Sequence, residues 1–493
     1  MQDIILGLGD ALSLINIFFV SCGIVMGLVI GAIPGLNGPM GIALCIPLTY
    51  YMSPVTAIGF LVGINKGTGF GGAISAILLN TPGTPEAAAT ALDGYPMAQN
   101  GKGEKALRMA LYSSVFGDTF SDIVLVLVAA PLAMVALYMG PPEIFAVVAL
   151  AMTVIAGLES SSLGKGLITA SFGILISCIG VDTVTALPRL SMGLYQLENG
   201  ISLVVIGIGM LAVAEVLLQL EIHVKEGLAC MVFSKNPEDR YLRWWEFKSV
   251  LRTLVRSSCI GTWVGAMPGI GAPVAAFIAY NEARKKSKNP EEFGKGSLEG
   301  LAAPEAAYSA VCGSNLIPLF TLGIPGNLAA ALLIGAFVLH GVTPGPLMFE
   351  QNGRMIYGIY GSMLIANFLN LGIGRVGMKA FCKVVQVPKV ILYPVILFIC
   401  MMGAYMADSS IFGVQVMLVF GIVGYLMKKF NYSYVCFIIG FILGPMFELS
   451  LQQIVIRSAQ EPGFMFTRPV ALALLALTAF IVLRTIYRAI KNR

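Results

Sequence analysis

The sequence predicts an all-α polytopic membrane protein made of two inverted-topology repeats, with broken helices and re-entrant helical hairpins. Three observations predict it. The chain of 493 residues is 57% hydrophobic and only 12% charged, against about 25% charged in soluble domains. Its apolar surface therefore exceeds what a water-facing fold can hide. Glycine (56) and proline (25) are abundant, which suits membrane helices that pack closely or break. Finally, a Pro-Gly motif and its flanks occur twice, in matched order.

Composition also excludes classes. The net charge is only +5, and basic residues gather in loops and at Arg484, Arg488, Lys491 and Arg493. They read as orientation signals in a lipid bilayer, and no nucleic-acid partner is expected. Nine cysteines are scattered without a CxxC pair. Cys22, Cys178 and Cys400 read as packing residues, so neither a disulfide framework nor a zinc site is expected. His223 and His340 lie too far apart in sequence to indicate a site. The N-terminus has neither a basic leader nor an A-x-A cleavage site, so no removable signal peptide is expected.

The elements follow in chain order. A span needs about 20 apolar residues. Candidates are 11–33, 123–138, 145–158, 167–179 and 201–220, then 356–371, 390–406, 411–426, 434–447 and 470–486. Between them lie apolar pieces cut by glycine or proline: 40–51, 55–64, 72–79, 273–280, 316–322 and 328–340. Broken backbone is tolerated in a bilayer only where protein or a water-filled cavity covers it. The short pieces therefore mark an interior.

Gly27-Leu-Val-Ile-Gly31-Ala-Ile-Pro34-Gly35-Leu-Asn37-Gly38-Pro39 recurs without a gap as Gly261-Thr-Trp-Val-Gly265-Ala-Met-Pro268-Gly269-Ile-Gly271-Ala-Pro273. Asn80-Thr81-Pro82-Gly83-Thr84 likewise matches Gly323-Ile324-Pro325-Gly326-Asn327, and an alanine-rich helix follows each. The expected organisation is a first repeat over 1–220, with breaks near 34 and 82. A cytoplasmic or interfacial linker helix with Trp244 and Trp245 spans 221–256. The second repeat covers 257–445, with breaks near 268 and 325, and 446–493 supplies a last span and basic tail.

Loop charge sets the relation between halves. The loop 48–54 is uncharged, whereas its partner 281–299 carries Arg284, Lys285, Lys286, Lys288 and Lys295. The later loop reverses this, with Lys102, Lys105 and Arg108 against Arg354 alone. Equivalent loops should then face opposite sides, as in an inverted repeat. Pro268-Gly269 becomes the tip of a helical hairpin entered from the cytoplasm, and 11–51 a hairpin entered from outside.

A broken helix exposes unpaired N–H groups whose dipole attracts anions. Thr84 and Asn327 stand at matching positions as N-caps. Gly83 and Gly326 allow close approach of a ligand. Asn37, Gly38, Asn80, Thr81, Ser314 and Asn315 add neutral hydrogen-bonding groups. Free carbonyls at Gly35, Asn80, Gly269 and Gly323 can hold Na⁺. One Pro-Gly would be only a kink; four in two matched pairs point to co-binding of a carboxylate and a cation.

Charged residues inside membrane segments are functional candidates by default. Lys66 pairs with a substrate carboxylate, substitutes for a bound cation, or snorkels at a helix end. Glu86 answers the helix dipole. Asp118 and Asp122 read as loop or polar-face residues, Asp408 and Glu448 as structural, and Glu159-Ser160-Ser161-Ser162 as a plain loop. The glycine-rich 67–72 lacks the ending of a P-loop. With no HExxH, no GxSxG and no Cys/His pair, no catalytic residue is expected.

These motifs resemble the large membrane subunit of tripartite tricarboxylate transporters, the TctA family. The resemblance rests on Gly27-x-x-x-Gly31-x-x-Pro34-Gly35 and Gly71-Gly72-x-x-x-Ala76-Ile-Leu78-x-Asn80-x-Pro82-Gly83. It extends to Ala88-x-Thr90-x-x-Asp93-Gly94-Tyr95-Pro96-Met97-Ala98, Gly265-x-x-Pro268-Gly269 and Pro325-Gly326. It implies a secondary carboxylate importer of the bacterial inner membrane, driven by a cation gradient, Na⁺ or H⁺, through an elevator motion. It also implies a small four-helix membrane subunit and a periplasmic substrate-binding protein as partners. Many members have Tyr-Tyr-Gly-Gly where this chain has Asn65-Lys66-Gly67-Thr68, and a serine where it has Ala73, so citrate is not assumed as substrate. The other expectation left open is a passive organic-anion channel.

Overall fold

The computed structural model describes residues 2–33, 35–160, 162–182, 184–221, 236–384, 389–461 and 463–491. Pro34, Ser161, His223 and the first part of the expected linker lie outside them. Among the described residues the chain is a helical bundle, with one two-residue β pairing between Gly180–Val181 and Pro188–Arg189. Eight helices among them are long and apolar enough to cross a membrane. The chain is thus a multi-pass membrane protein.

Each half contains an early pair of helices joined through a glycine turn, preceded in the first half by Gln2–Ala11. In the first half Leu14–Ala32 leads to Gly38–Cys45; in the second, Trp244–Ala266 leads to Ala272–Lys286. Gly35 and Gly269 make the turns at φ +95° and +88°, a region glycine enters without steric cost. A long buried element follows each pair. Pro54–Leu79 ends at Asn80 (φ 53°), while Leu298–Ser314 runs on into Leu316–Leu322 and ends at Gly323 (φ 71°). Shorter helices Ala87–Met97 and Leu328–Leu339 come next.

The two halves cross their helices at matching residues. A side-chain carbon on Gly27 or Gly31 would strike the carbonyl of Ile64 or Thr68. One on Gly261 would strike the carbonyl of Ala307, and one on Gly265 would lie 3.0 Å from Val311 Cα. Numbers 234 higher relate the glycines, 27 to 261 and 31 to 265. Numbers 243 higher relate both the partners, 64 to 307 and 68 to 311, and the left-handed helix ends, 80 to 323.

The expected pieces 55–64 and 72–79 belong to one unbroken 26-residue helix, Pro54–Leu79. The glycines between them do not break it because they are packing surfaces. A Cβ on Gly67 would lie 2.5 Å from the Ile24 carbonyl, and one on Gly71 2.6 Å from that of Leu28. Close backbone approach between helices outweighs glycine's cost of about 1 kcal/mol per position. Asp118 and Asp122, expected on a loop or polar face, are buried halfway along the 34-residue helix Gly103–Ala136. Other helices occur where the apolar stretches predict them, with longer bounds: Pro141–Leu158, Gly353–Val384, Lys389–Asp408, Ile411–Lys429, Tyr434–Gln460 and Pro469–Lys491. Trp244–Ala266 runs across the expected joint at 256, with Trp244 and Trp245 exposed at its start.

The basic loops converge. Lys102, Lys105, Lys248, Arg252, Arg256, Lys286 and Lys288 line one surface cleft, and Lys105 pairs with Glu246 at 2.7 Å.

Candidate functional site

Four helices begin around one point. Asn37 Oδ1 accepts the Met40 N–H at 3.1 Å and starts Gly38–Cys45. Asn327 Oδ1 accepts the Ala330 N–H at 2.9 Å and starts Leu328–Leu339. Ala272–Lys286 starts after Gly271 (φ +78°), with Pro273 in its first turn. Ala87–Met97 is led in by a backbone turn, Ala87 N–H donating to the Thr84 carbonyl at 3.1 Å. Thr84, expected as an N-cap, therefore does not cap this helix with its side chain. Its hydroxyl lies against Gly72, where a Cβ would meet it at 2.7 Å.

The four starts line a single cavity of about 150 Å³. Asn37, Gly38 and Pro39 face Gly271, Ala272 and Pro273 from the other half; Pro85 and Glu86 face Leu328 and Ala329. The long helices supply the walls, Asn65 and Gly69 on one side, Tyr308 and Cys312 on the other. The shift of 234 relates the first set of residues and 243 the rest, so the lining is two-fold in sequence. The lining holds two carboxylates, Glu86 and Glu159, and no Lys, Arg or His. Positive potential here comes from backbone N–H groups, each helix start contributing about half an elementary charge. An adjoining cavity of about 760 Å³ shares Asn37, Pro85, Glu159 and Val435. It reaches Gly35, Gly83 and Thr84 and is bordered by the Lys428–Glu215 pair at 2.6 Å.

The expected site residues separate accordingly. Asn37, Gly38, Gly269 and Asn327 line the inner cavity, and Gly35, Gly83 and Thr84 the outer one. Gly326 lies behind, its carbonyl accepting the Gly269 N–H at 2.9 Å, which locks the two second-half breaks together. Ser314 donates to the Ala310 carbonyl at 2.7 Å, and Asn315 is buried against Gly326. Asn80 and Gly323 close helices away from both cavities, and Thr81 donates back to the Leu79 carbonyl. Lys66 does not reach the cavity lining. Its ammonium donates to Asp122 at 2.5 Å and to Asn367 at 2.6 Å.

Three features escaped sequence reasoning. Glu159, expected in a plain loop, caps Pro141–Leu158 and borders both cavities. Glu305 is fully buried and accepts from Thr90 at 2.6 Å, Tyr308 at 2.9 Å and Ser114 at 3.0 Å. These bonds fix the Tyr308 hydroxyl at the cavity wall. A lone carboxylate in the apolar run Leu301-Ala-Ala-Pro-Glu305-Ala-Ala was the available signal. Asp93 is buried too. Its carboxylate accepts N–H groups of Gly294, Gly296 and Ser297 at 2.9, 2.9 and 2.7 Å, and the Tyr280 hydroxyl at 3.0 Å. It thereby ties the helix after the first break to the start of Leu298–Ser314.

Comparison with known proteins gives the same direction. The model of the family "Tripartite tricarboxylate transporter TctA family" matches residues 17–439. A relative from Agrobacterium vitis, "Uncharacterized 52.8 kDa protein in TAR-I ttuC' 3'region", is 34% identical over 497 residues, covering 100% of this chain and 98% of its own. A second from the same organism, "Uncharacterized protein in TAR-II ttuC' 3'region", is 34% identical over 233 residues, 47% of this chain and 96% of its own. No solved structure matches.

Proposed function

The chain belongs to the tripartite tricarboxylate transporter TctA family, and on that footing we propose that it imports organic di- or tricarboxylates as the large membrane subunit of a cation-coupled secondary transporter. A small four-helix membrane subunit and a periplasmic substrate-binding protein complete the assembly in the bacterial inner membrane. The observation that carries this reading is the cavity where four helix N-termini from both halves meet without a basic side chain. Backbone dipoles attract a carboxylate there, while Glu86, Glu159 and the break carbonyls favour a cation alongside it. Na⁺ is the expected ion, held by carbonyls around Gly35 and Gly269, which line the cavities, and not by those of Asn80 and Gly323, which lie away from them.

The matched helix crossings and opposite loop charges support two inverted repeats, and such repeats support alternating access by an elevator motion. The wider cavity beside the site is the route by which substrate leaves or enters. No chemical step on the substrate is proposed.

The test is uptake of radiolabelled succinate, tartrate and citrate into proteoliposomes holding this chain, its small subunit and the binding protein. Accumulation that requires the binding protein and a cation gradient is expected. Conduction without either identifies a passive anion channel instead. Asn327→Ala with Thr84→Ala should cut uptake by more than the loss of one helix cap, about 1 kcal/mol or fivefold. Unchanged uptake and unchanged Na⁺ dependence in that variant would overturn the site.

A further inference from the structure

The charged cluster behind the cavity has no part in the substrate site described above. Lys66, Asp118 and Asp122 are 3%, 2% and 1% exposed, and each lies near the middle of a long buried helix. Lys66 Nζ donates to Asp122 Oδ2 at 2.5 Å and to Asn367 Oδ1 at 2.6 Å. Asn367 Nδ2 donates in turn to Asp122 Oδ2 at 2.8 Å. Asp118 stands one helical turn before Asp122 and reaches Lys66 only at 3.8 Å. No protein donor lies within hydrogen-bonding distance of Asp118 Oδ1 or Asp122 Oδ1. Asn370, one turn beyond Asn367 on the same helix, is fully buried with its whole amide unpartnered.

Two carboxylates around one ammonium leave one negative charge uncompensated when all three are ionised. An unpaired charge at mid-membrane costs at least about 3 kcal/mol, so the cluster favours one added positive charge. Lys66 and Asp122 already satisfy each other, which leaves Asp118 to receive it. Like-charged carboxylates sharing a site hold one proton between them for this reason. Glu305 and Cys312 of Leu298–Ser314 also face Asp118, and Glu86 faces Cys312. The Glu305 carboxylate adds to the pull on a proton at Asp118. Cys312 and Gly69, one turn beyond Lys66, line the cavity itself, so the cluster is separated from bound substrate by one layer of residues.

We propose that Asp118 is a proton-binding site that couples substrate movement to a proton gradient, with Lys66, Asp122 and Asn367 as its positioning residues. In each cycle the Asp118 carboxylate takes one proton on the side where substrate enters and releases it on the other. Lys66 stays protonated throughout, so the cluster alternates between net charge −1 and zero. The inference rests on the carrier reading above and adds a proton to whatever Na⁺ the breaks hold.

The test uses the same three-component proteoliposomes, with a pH-sensitive dye trapped inside and the membrane potential clamped at zero. Succinate, tartrate or citrate uptake by the wild type should acidify the lumen. With Na⁺ fixed, uptake should fall as external pH rises, by up to about tenfold per pH unit. Asp118→Asn, which mimics the protonated acid, should lose the acidification and the pH dependence yet still exchange internal for external substrate. Asp118→Glu keeps an acid and should keep proton movement. Should the Asn variant fail to fold, the Glu variant and the wild type still decide the matter. Wild-type uptake without acidification, or unaltered acidification in Asp118→Asn, would overturn the proposal while leaving the carrier reading intact. Failure of the wild type to accumulate any of the three compounds overturns both.

Discussion

Asp93 offers the clearest test of how the halves are joined. Its carboxylate is fully buried and accepts four hydrogen bonds, all from residues some two hundred positions later. Gly300 leaves room for it, since a side chain there would run into the carboxylate. Asp93→Ala strands the donors. The Gly294 and Gly296 N–H groups are partly exposed, so water replaces their partner at little cost. The Ser297 N–H and the Tyr280 hydroxyl are buried, and each unpaired buried donor costs about 1–3 kcal/mol. The expected loss is therefore about 2–6 kcal/mol. In a chain of this length that lowers the thermal midpoint by roughly 2–6 °C. Asp93→Asn keeps one acceptor oxygen and should lose about half as much. The assay is thermal unfolding of the purified protein in detergent, followed by intrinsic fluorescence. An Asp93→Ala midpoint within about 1 °C of wild type would refute the reasoning.

Three further predictions concern packing and pH. Gly67→Ala should destabilise by about 1–3 kcal/mol, because its Cβ meets the Ile24 carbonyl at 2.5 Å. Gly9→Ala, in open space within Gln2–Ala11, should stabilise by up to about 1 kcal/mol, and a matched pair of melting curves checks both. Arg354 hydrogen-bonds Asp10 at 2.7 and 2.8 Å and holds its carboxyl below the ordinary 3.8. A depressed carboxylate stabilises above its unfolded value and loses that contribution as pH falls through the folded one. The pair is largely exposed, so Asp10→Asn should cost under about 1 kcal/mol at pH 7 and progressively less toward pH 3, read from melting midpoints across that range.

Much was legible in the sequence because its causes are local. The apolar stretches are long enough to be spans whatever surrounds them, and Pro-Gly stops a helix wherever it falls. Asn37 and Asn327 are such local signals: each caps a helix with its own side chain, as an N-cap asparagine does. Self-similarity also gave the correspondence of the breaks before any contact was known. The sequence could not give partners across the membrane interior. Thr84 has the chemistry of a cap, yet it packs against Gly72 and leaves the helix start to a backbone turn.

The family and its membrane character were thus determined by the sequence alone, through composition, breaks and repeats. Only the tertiary structure decided which breaks share a cavity. Gly35, Gly83 and Thr84 open onto an outer space, while Asn37, Gly269 and Asn327 meet in the inner one. It also decided the fate of the intramembrane charges. Lys66, the Asp118–Asp122 pair and Glu305 are far apart in sequence. Pro54–Leu79 packs against Gly103–Ala136 and Gly353–Val384, and there Lys66 pairs with Asp122 and Asn367. A buried charge takes the nearest partner that compensates it, and which partner is nearest is a property of packing.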